Sequence, residues 1–162
     1  MQYIAINEQQ QLNFDEVEKP TIGGDECLIK VRAIGVNRAD ILQKQGKYPP
    51  PLGESNILGI EACGELVAIG RQQTQWQVGD KVFAIVPGGA YAEYVKVKTD
   101  HLIPLPENLS YGEGAAIAEV YLTAYQGLFT IANLQPKANV LIHAGASGVG
   151  SAAMGQAAKT KL

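Results

Sequence analysis

The stretch that decides the fold class is Val140–Gly150, with the sequence VLIHAGASGVG. Its first four residues form a short apolar run of the kind found in buried strands. Glycines follow at positions 145, 148 and 150, and a run of small residues then continues from Ala152 to Ala158. The order strand, glycine turn, helix predicts the opening of a doubly wound α/β domain.

The same stretch predicts a nucleotide-binding site. Glycines let the backbone approach a pyrophosphate, whose charge is attracted by the N–H groups and dipole at a helix N-terminus. We therefore assign cofactor binding to Gly145, Ser147, Gly148, Val149 and Gly150. The turn departs from G-x-G-x-x-G because Ser147 takes the second glycine's place, where its hydroxyl adds a donor. A purely structural strand–helix turn is the alternative interpretation.

The chain changes character near residue 110. Before it, strands are predicted near residues 2–7, 12–18, 26–35, 60–69, 81–86 and 90–97, with a short helix from Asn37 to Gly46. Many short strands without regular helices between them indicate a partly open antiparallel barrel. After it, Ser110 and Glu113 form a capping box that predicts a long helix running toward Ile131. We expect two domains, residues 1–110 and an incomplete second domain at 111–162.

Composition and charge exclude several classes of function. The 162 residues carry a net charge of -3 with a pI near 5.4, which predicts no binding to nucleic acid or to an anionic membrane. The charge-free stretch between Lys137 and Lys159 is broken by glycines and polar residues, so it is a poor membrane span. Cys27 and Cys63 fall in apolar runs, which favours buried free thiols and a cytoplasmic location over a disulfide.

The residue that selects between NAD and NADP falls beyond the sequence. An acidic or basic residue with this role is expected about 20 residues past the glycines. The sequence ends at Leu162. We therefore expect the second domain to be truncated, since one strand and one helix cannot complete a parallel sheet.

Six segments in order along the chain resemble the medium-chain dehydrogenase/reductase superfamily, in its zinc-free quinone oxidoreductase branch. They are Gly35–Asp40 (GVNRAD), Gln45–Pro51 (QGKYPPP), Ile57–Ala62 (ILGIEA), Val78–Val82 (VGDKV), Leu122–Tyr125 (LTAY) and His143–Gly150 (HAGASGVG). The resemblance implies a GroES-like barrel followed by a nicotinamide-binding Rossmann domain. It also implies NADPH as cofactor and a homodimer of chains about twice this length.

The resemblance also implies roles for single residues. Tyr48 is similar to the cleft tyrosine that contacts nicotinamide or substrate, and Asn37 lines the same site; both are predicted to be catalytic. Thr123 resembles the residue that holds the nicotinamide amide. The alternatives are a packed loop aromatic for Tyr48, a simple N-cap for Asn37 and a helix residue bonded to its own backbone for Thr123. Glu61 is interpreted as a structural partner, and His143 as a satisfied core histidine.

No metal is expected. Related alcohol dehydrogenases bind catalytic zinc through a Cys near the asparagine segment and a His in a Gly-His-Glu triplet. Here residues 38–40 contain no Cys, and Ile60 stands between Gly59 and Glu61. Without zinc as Lewis acid, an electron-poor acceptor becomes the natural substrate. We therefore expect NADPH-dependent reduction of quinones or related conjugated carbonyls; a 2-alkenal or enoyl reductase and a non-catalytic truncated product are the alternatives.

Overall fold

The computed structural model describes residues 1–72 and 75–159. They belong to two compact units, Met1–Ala116 and Ile117–Leu162. The predicted fold class, an α/β chain with a strand-rich first part and the start of a doubly wound domain, is confirmed. The predicted domain boundary after residue 110 stays a prediction.

The first unit contains two antiparallel sheets. A two-stranded hairpin pairs β1 (Gln2–Ile6) with β2 (Leu12–Glu16). A five-stranded sheet has the order β6-β3-β4-β5-β7. Its strands are β3 (Glu26–Ile34), β4 (Glu61–Ile69), β5 (Lys81–Ile85), β6 (Tyr94–Lys98) and β7 (Ile103–Pro104). Every pair in this sheet is antiparallel.

The core of the first unit is formed by buried side chains of strands β3, β4 and β5. Cys27 and Ile29 of β3 are fully buried and pack in one cluster with Leu66 and Val82. Burial of these apolar side chains is the main contribution to the stability of the first unit, at about 25 cal/mol per Å² of apolar surface removed from water. Cys27 and Cys63 are both buried and free.

The strand expected at residues 90–97 starts later, at Tyr94. The preceding residues pair with a loop instead, because the N–H groups of Gly89, Ala90 and Tyr91 donate to the carbonyls of residues 57, 59 and 58. Gly89 has φ +97°, a conformation that glycine adopts readily. Tyr91 of this loop also contacts helix α1 (Arg38–Lys44), because its hydroxyl donates to Asp40.

The long helix expected after Ser110 is interrupted, so that expectation is wrong. The capping box forms: Ser110 N–H donates to the Glu113 carboxylate at 2.8 Å. Helix α2 (Tyr111–Gly114) then ends after four residues, and α3 (Ala118–Tyr125) leads into a π-helical segment (Gln126–Ile131). Gly112 and Gly114 weaken helix propagation, and Gly114 packs where a Cβ would lie 2.8 Å from the Cys63 sulfur.

The strand expected at residues 140–143 is not formed. Leu141 is 81% exposed, and no described segment pairs with this run. A parallel strand satisfies its backbone groups only through neighbouring strands, so an apolar sequence alone does not produce one. His143 is exposed, and its interpretation as a core histidine is wrong.

The helix expected after the glycine turn is present as α4 (Gly148–Lys159). It packs against α3 through small side chains, and the cluster consists of Ala124, Leu128, Ala152, Ala153 and Ala157. Across residues 1–72 and 75–159, no helix has the length and apolar character needed to cross a membrane.

Candidate functional site

Asn37 lies directly before α1 and is held at two points. Its backbone N–H donates to Oδ2 of Asp40 at 2.7 Å, which is the reciprocal half of a capping box. Its side-chain Nδ2 donates to Oε2 of Glu61 at 3.0 Å. The predicted N-cap position of Asn37 is therefore confirmed, and its amide group makes a further contact that N-capping does not require.

Glu61 begins β4 and is 1% exposed. Gly35 makes room for its carboxylate, because a Cβ at position 35 would collide with Oε2 of Glu61 and with the carbonyl oxygen of Ala115. Burial and, to a smaller extent, the Glu61 charge raise the pKa of the Cys63 thiol to about 11, against the opposing effect of the Gly64 backbone. Cys63 therefore stays protonated at neutral pH and is not a nucleophile.

Asp40 is the second buried carboxylate near Asn37, with 4% exposure. Its Oδ2 accepts a second hydrogen bond from the Tyr91 hydroxyl at 3.0 Å. Its Oδ1 is buried without a hydrogen-bond partner in the described part of the chain. Burial, then the Asp40 charge and hydrogen bond, raise the pKa of Tyr91 well above 10. Tyr91 therefore remains a hydrogen-bond donor at physiological pH.

Two further contacts fasten α1 to the neighbouring loops. Oε1 of Gln43 accepts from the Gly59 N–H at 3.1 Å, and its Nε2 donates to the Pro87 carbonyl at 3.4 Å. Gly59 has φ +96°, and the Tyr91 ring fills the space that a Cβ would need. Glycine is thus required at position 59 both by its backbone conformation and by close packing.

Sequence reasoning missed two members of this group, Gln43 and Tyr91, and gave Asp40 no role of its own. The signal for Asp40 was present, since it follows Asn37 by the three positions of a capping box. The sequence also shows one charged residue, Glu61, within an apolar run, which is a signal for a site residue. No local pattern indicates Tyr91, because its partner is 51 positions away.

Tyr48 shares no hydrogen bond with Asn37, Asp40, Glu61 or Tyr91 in the part of the chain that the structure describes. It follows the end of α1, is 50% exposed and makes no hydrogen bond among the residues that the structure describes. Its phenol is therefore accessible to a ligand. The structure does not join Tyr48 to Asn37 by a hydrogen bond, and the shared catalytic role of these two residues stays a prediction.

The glycine turn lies at the N-terminus of α4. Oγ of Ser147 accepts from the Gly150 N–H at 3.0 Å, and the Ser151 N–H donates to the Ser147 carbonyl at 2.8 Å. The N–H groups of Gly148 and Val149 have no acceptor within the described chain. Unpaired N–H groups at the start of a 12-residue helix suit an anion such as a phosphate.

Gly150 is the sterically constrained glycine of the turn. A Cβ at this position would collide with the Ala144 carbonyl and lie 2.8 Å from the Gly145 Cα. These are backbone atoms, which cannot move aside without changing the turn. Gly145 is roomier, with only the end of the Met154 side chain nearby at 3.6 Å.

Thr123 lies on the exposed side of α3. Its hydroxyl donates to Oε1 of Glu119 at 3.4 Å, so it bonds a side chain rather than its own backbone. The same helix reaches the glycine turn, because a Cβ at Gly148 would lie 3.0 Å from Val120. Within the second unit, Thr123 thus lies on the helix that borders the turn. Its contact with a nicotinamide amide stays a prediction.

We find no group of three or more His, Cys, Asp or Glu side chains that could hold a metal ion among residues 1–72 and 75–159. Asn37 has two carboxylates nearby, but both are engaged in hydrogen bonds with it. The donor set around α1 is therefore one of oxygen and amide groups without the sulfur or imidazole ligands that zinc favours.

Comparison with known families assigns this fold to a class. The family profile of the alcohol dehydrogenase GroES-like domain matches residues 23–107. The chain therefore belongs to the alcohol dehydrogenase GroES-like domain family, within the medium-chain dehydrogenase/reductase superfamily. The predicted resemblance to the quinone oxidoreductase branch of that superfamily is confirmed.

Curated relatives of the chain include a synaptic vesicle membrane protein and a polyketide synthase. It is 38% identical over 141 residues to the synaptic vesicle membrane protein VAT-1 of Tetronarce californica, covering 85% of this chain and 36% of the relative. It is 35% identical over 152 residues to the highly-reducing polyketide synthase 1 of Aureobasidium melanogenum, covering 94% of this chain and 6% of the relative.

Solved structures match almost the whole chain. The CurK enoyl reductase matches with a TM-score of 0.89 and 29% identity, covering 99% of this chain and 52% of that one. A quinone oxidoreductase from Pseudomonas syringae pv. Tomato DC3000 gives 0.86 and 30%, covering 99% and 50%. The mycobacterial Rv1454c complexed with NADPH gives 0.86 and 30%, covering 99% and 51%. The chain thus spans about half the length of these structures.

Proposed function

We propose that the protein is an NADPH-dependent oxidoreductase that reduces quinones or related conjugated carbonyls by hydride transfer without zinc. The observation that carries this proposal is the glycine turn at the start of α4, with two unpaired N–H groups and a close approach at Gly150. A similar protein of known structure was solved with NADPH, and another is described as a quinone oxidoreductase.

The turn offers a cradle for the cofactor's phosphates. The N–H groups of Gly148 and Val149 would donate to phosphate oxygens, and the absence of side chains at Gly145 and Gly150 permits a close approach. The hydroxyl of Ser147 accepts from Gly150 and keeps its own proton for a further hydrogen bond. When bound, the nicotinamide supplies the hydride, and the acceptor takes up a proton to balance the reduction.

Residues of the first unit would contact the substrate that accepts the hydride. Tyr48 presents an accessible phenol that can donate a hydrogen bond to a carbonyl oxygen as negative charge develops there. Asn37 is the second proposed catalytic residue, and Thr123 the proposed ligand of the nicotinamide amide. A quinone is already electron-poor, so orientation and exclusion of water supply most of what the reaction needs.

Titration with NADPH tests the cofactor site. The 162-residue chain, and any longer chain that its gene encodes, should quench or shift NADPH fluorescence on binding. Gly150→Ala should weaken binding by roughly tenfold or more, equivalent to about 1.4 kcal/mol. Gly155→Ala is the matched control, because a Cβ there meets nothing within 4 Å and it lies in the same helix. Absence of binding by the unaltered chain would favour the non-catalytic alternative.

An enoyl or 2-alkenal reductase is the second candidate function. It is favoured by the match to the CurK enoyl reductase and by the similarity to a highly-reducing polyketide synthase. Steady-state NADPH consumption with 1,2-naphthoquinone and with a 2-alkenal separates the two. Turnover of the quinone supports the first proposal, and turnover of the alkenal alone would replace it with the second.

A further inference from the structure

We infer that Asp40 and Glu61 are positioning residues that together hold Asn37 in one orientation for the reaction. The inference rests on the proposed function, because it takes Asn37 to face the substrate. Neither carboxylate is assigned contact with substrate or cofactor. Their effect is exerted through Asn37.

The two carboxylates act on different parts of Asn37. Asp40 lies on α1 and accepts from the backbone N–H of Asn37 at 2.7 Å, which fixes the chain where it enters the helix. Glu61 lies on β4 and accepts from the side-chain Nδ2 at 3.0 Å, which fixes the amide. One residue is thus tied to its own helix and to the sheet of the same unit.

The contact with Glu61 selects one orientation of the amide. A free asparagine amide can rotate by half a turn and exchange its donor and acceptor ends. In the structure the NH₂ end faces Oε2 of Glu61, and an ionised carboxylate only accepts hydrogen bonds. Such charge-assisted bonds are stronger than neutral ones. Asn37 therefore offers a fixed pattern of donors and acceptors instead of two interchangeable ones.

The burial of Asp40 carries a cost even though its Oδ2 accepts two hydrogen bonds. Asp40 is 4% exposed, makes no ion pair in the part of the chain that the structure describes, and leaves Oδ1 without a donor. A buried charged group with an unsatisfied oxygen opposes folding, and a neutral residue of similar shape would avoid that cost. Gly35 is also constrained, because any side chain there would displace Glu61. Both buried carboxylates thus accept a hydrogen bond from Asn37.

Heteronuclear NMR of the Asn37 side-chain amide, assigned by its loss in Asn37→Ser, tests the positioning directly. Glu61→Gln should shift these amide protons upfield, because a charged acceptor becomes a neutral one, and should broaden them through amide rotation. Asp40→Asn should move the backbone N–H of Asn37 upfield. The matched control is Glu65→Gln, a half-buried carboxylate of the same strand that bonds Arg32 and Tyr111 instead. It should leave both resonances in place.

Gly35→Ala provides a second test without removing a charge. It should displace the Glu61 carboxylate and reproduce the Glu61→Gln shift of the amide, with folding verified by circular dichroism. Asn37 resonances that are unmoved in both Glu61→Gln and Asp40→Asn would overturn the inference.

Measurements of turnover distinguish a failure of this inference from a failure of the proposed function. In an active preparation, Glu61→Gln and Asp40→Asn should lower kcat by on the order of 10- to 100-fold with little change in KM for NADPH, because small misplacements at a reacting centre have effects of this size. Glu65→Gln should retain kcat. Unchanged kcat in both site variants of an active enzyme would overturn the inference. If the unaltered protein reduces no acceptor but the amide shifts occur, the proposed function fails while the positioning of Asn37 stands.

Discussion

The two units of this chain complete their hydrophobic cores in different ways. The first unit buries large aliphatic side chains such as Ile29, Leu66 and Val82 within a five-stranded antiparallel sheet. The second buries a small cluster in which four of the five residues are alanines. Both units leave large apolar side chains exposed, among them Leu52 and Phe14 in the first and Ile131 and Leu141 in the second.

The difference lies in whether the partners of each strand are present in the described chain. All five strands of the larger sheet lie in the first unit, which therefore assembles this sheet from its own residues, even where the paired strands are far apart in sequence, as β3 and β6 are. A helix and its cap also form from local contacts, and α4 is present. A parallel strand needs partners that come from distant segments, and the apolar run at 140–143 has none among the described residues.

The largest expected effect is a loss of stability in the first core. Leu66 is fully buried, so Leu66→Ala should lower the free energy of unfolding by about 3 kcal/mol through lost burial and a cavity. Trp76 packs against this core and reports its unfolding by fluorescence in urea. The matched change in the second core, Leu128→Ala, should leave the Trp76 transition within about 0.5 kcal/mol of its original stability. A shift as large as that of Leu66→Ala would show that the two cores unfold as one.

A second prediction compares two glycines within α4. Gly150→Ala should destabilise the second unit by about 1–3 kcal/mol, as overpacking does, because the new Cβ meets the backbone of the glycine turn. Gly155→Ala should instead stabilise the helix by about 0.5–1 kcal/mol, since alanine is the better helix former and the space is open. Hydrogen exchange of the α4 amides measures both. Equal effects of the two substitutions would show that the turn does not pack as described.

The sequence predicts the individual elements of the first unit better than those of the second. The strands near 26–35, 60–69 and 81–86 are observed within one residue or so of their expected ends, because alternation and turn glycines are local signals. The helix at 111–131 fails because Gly112 and Gly114 outweigh a good capping box.

The candidate site was predicted in part for the same reason. Asn37 and the turn at 145–150 follow from local motifs, and the structure places both at helix N-termini. The Asn37–Glu61 bond joins residues 24 positions apart, and Tyr91 is 51 positions from Asp40. Such pairings depend on strand register and on Gly35 making room, which no local pattern reports.

The third prediction concerns the cap of α4. Ser147→Ala removes the acceptor of the Gly150 N–H and should cost about 1 kcal/mol of local helix stability. Ser147→Asp should restore most of it, because a carboxylate also caps a helix and suits its positive end. The rescued helix should nevertheless bind NADPH more weakly, since the added charge repels phosphate. Hydrogen exchange and NADPH titration on the same samples separate these two effects. Rescue of both stability and binding would argue against phosphate at this turn.

The smallest effect is expected where α2 meets the sheet of the first unit. The Tyr111 hydroxyl donates to Oε1 of Glu65 at 2.5 Å, and Arg32 donates to Oε2 at 3.2 Å. The Tyr111 bond and then Arg32 hold the pKa of Glu65 below its usual 4.5. This contribution to stability is therefore present above pH 4.5 and is lost as the pH falls through the lower pKa of the folded state.

Tyr111→Phe removes the largest cause of that shift, so the pKa of Glu65 should rise toward 4.5 in a carboxyl NMR titration. Acid unfolding of the first unit, followed by Trp76 fluorescence, should begin at a slightly higher pH. Burial and Glu65 also raise the pKa of Tyr111 to about 12, so its hydroxyl should ionise only in strong base. Tyr121→Phe is the matched control from the second unit, where the ring is 44% exposed. The Glu65 pKa should stay unchanged in this variant, and a change as large as that of Tyr111→Phe would contradict the assignment of the shift to the Tyr111 hydrogen bond.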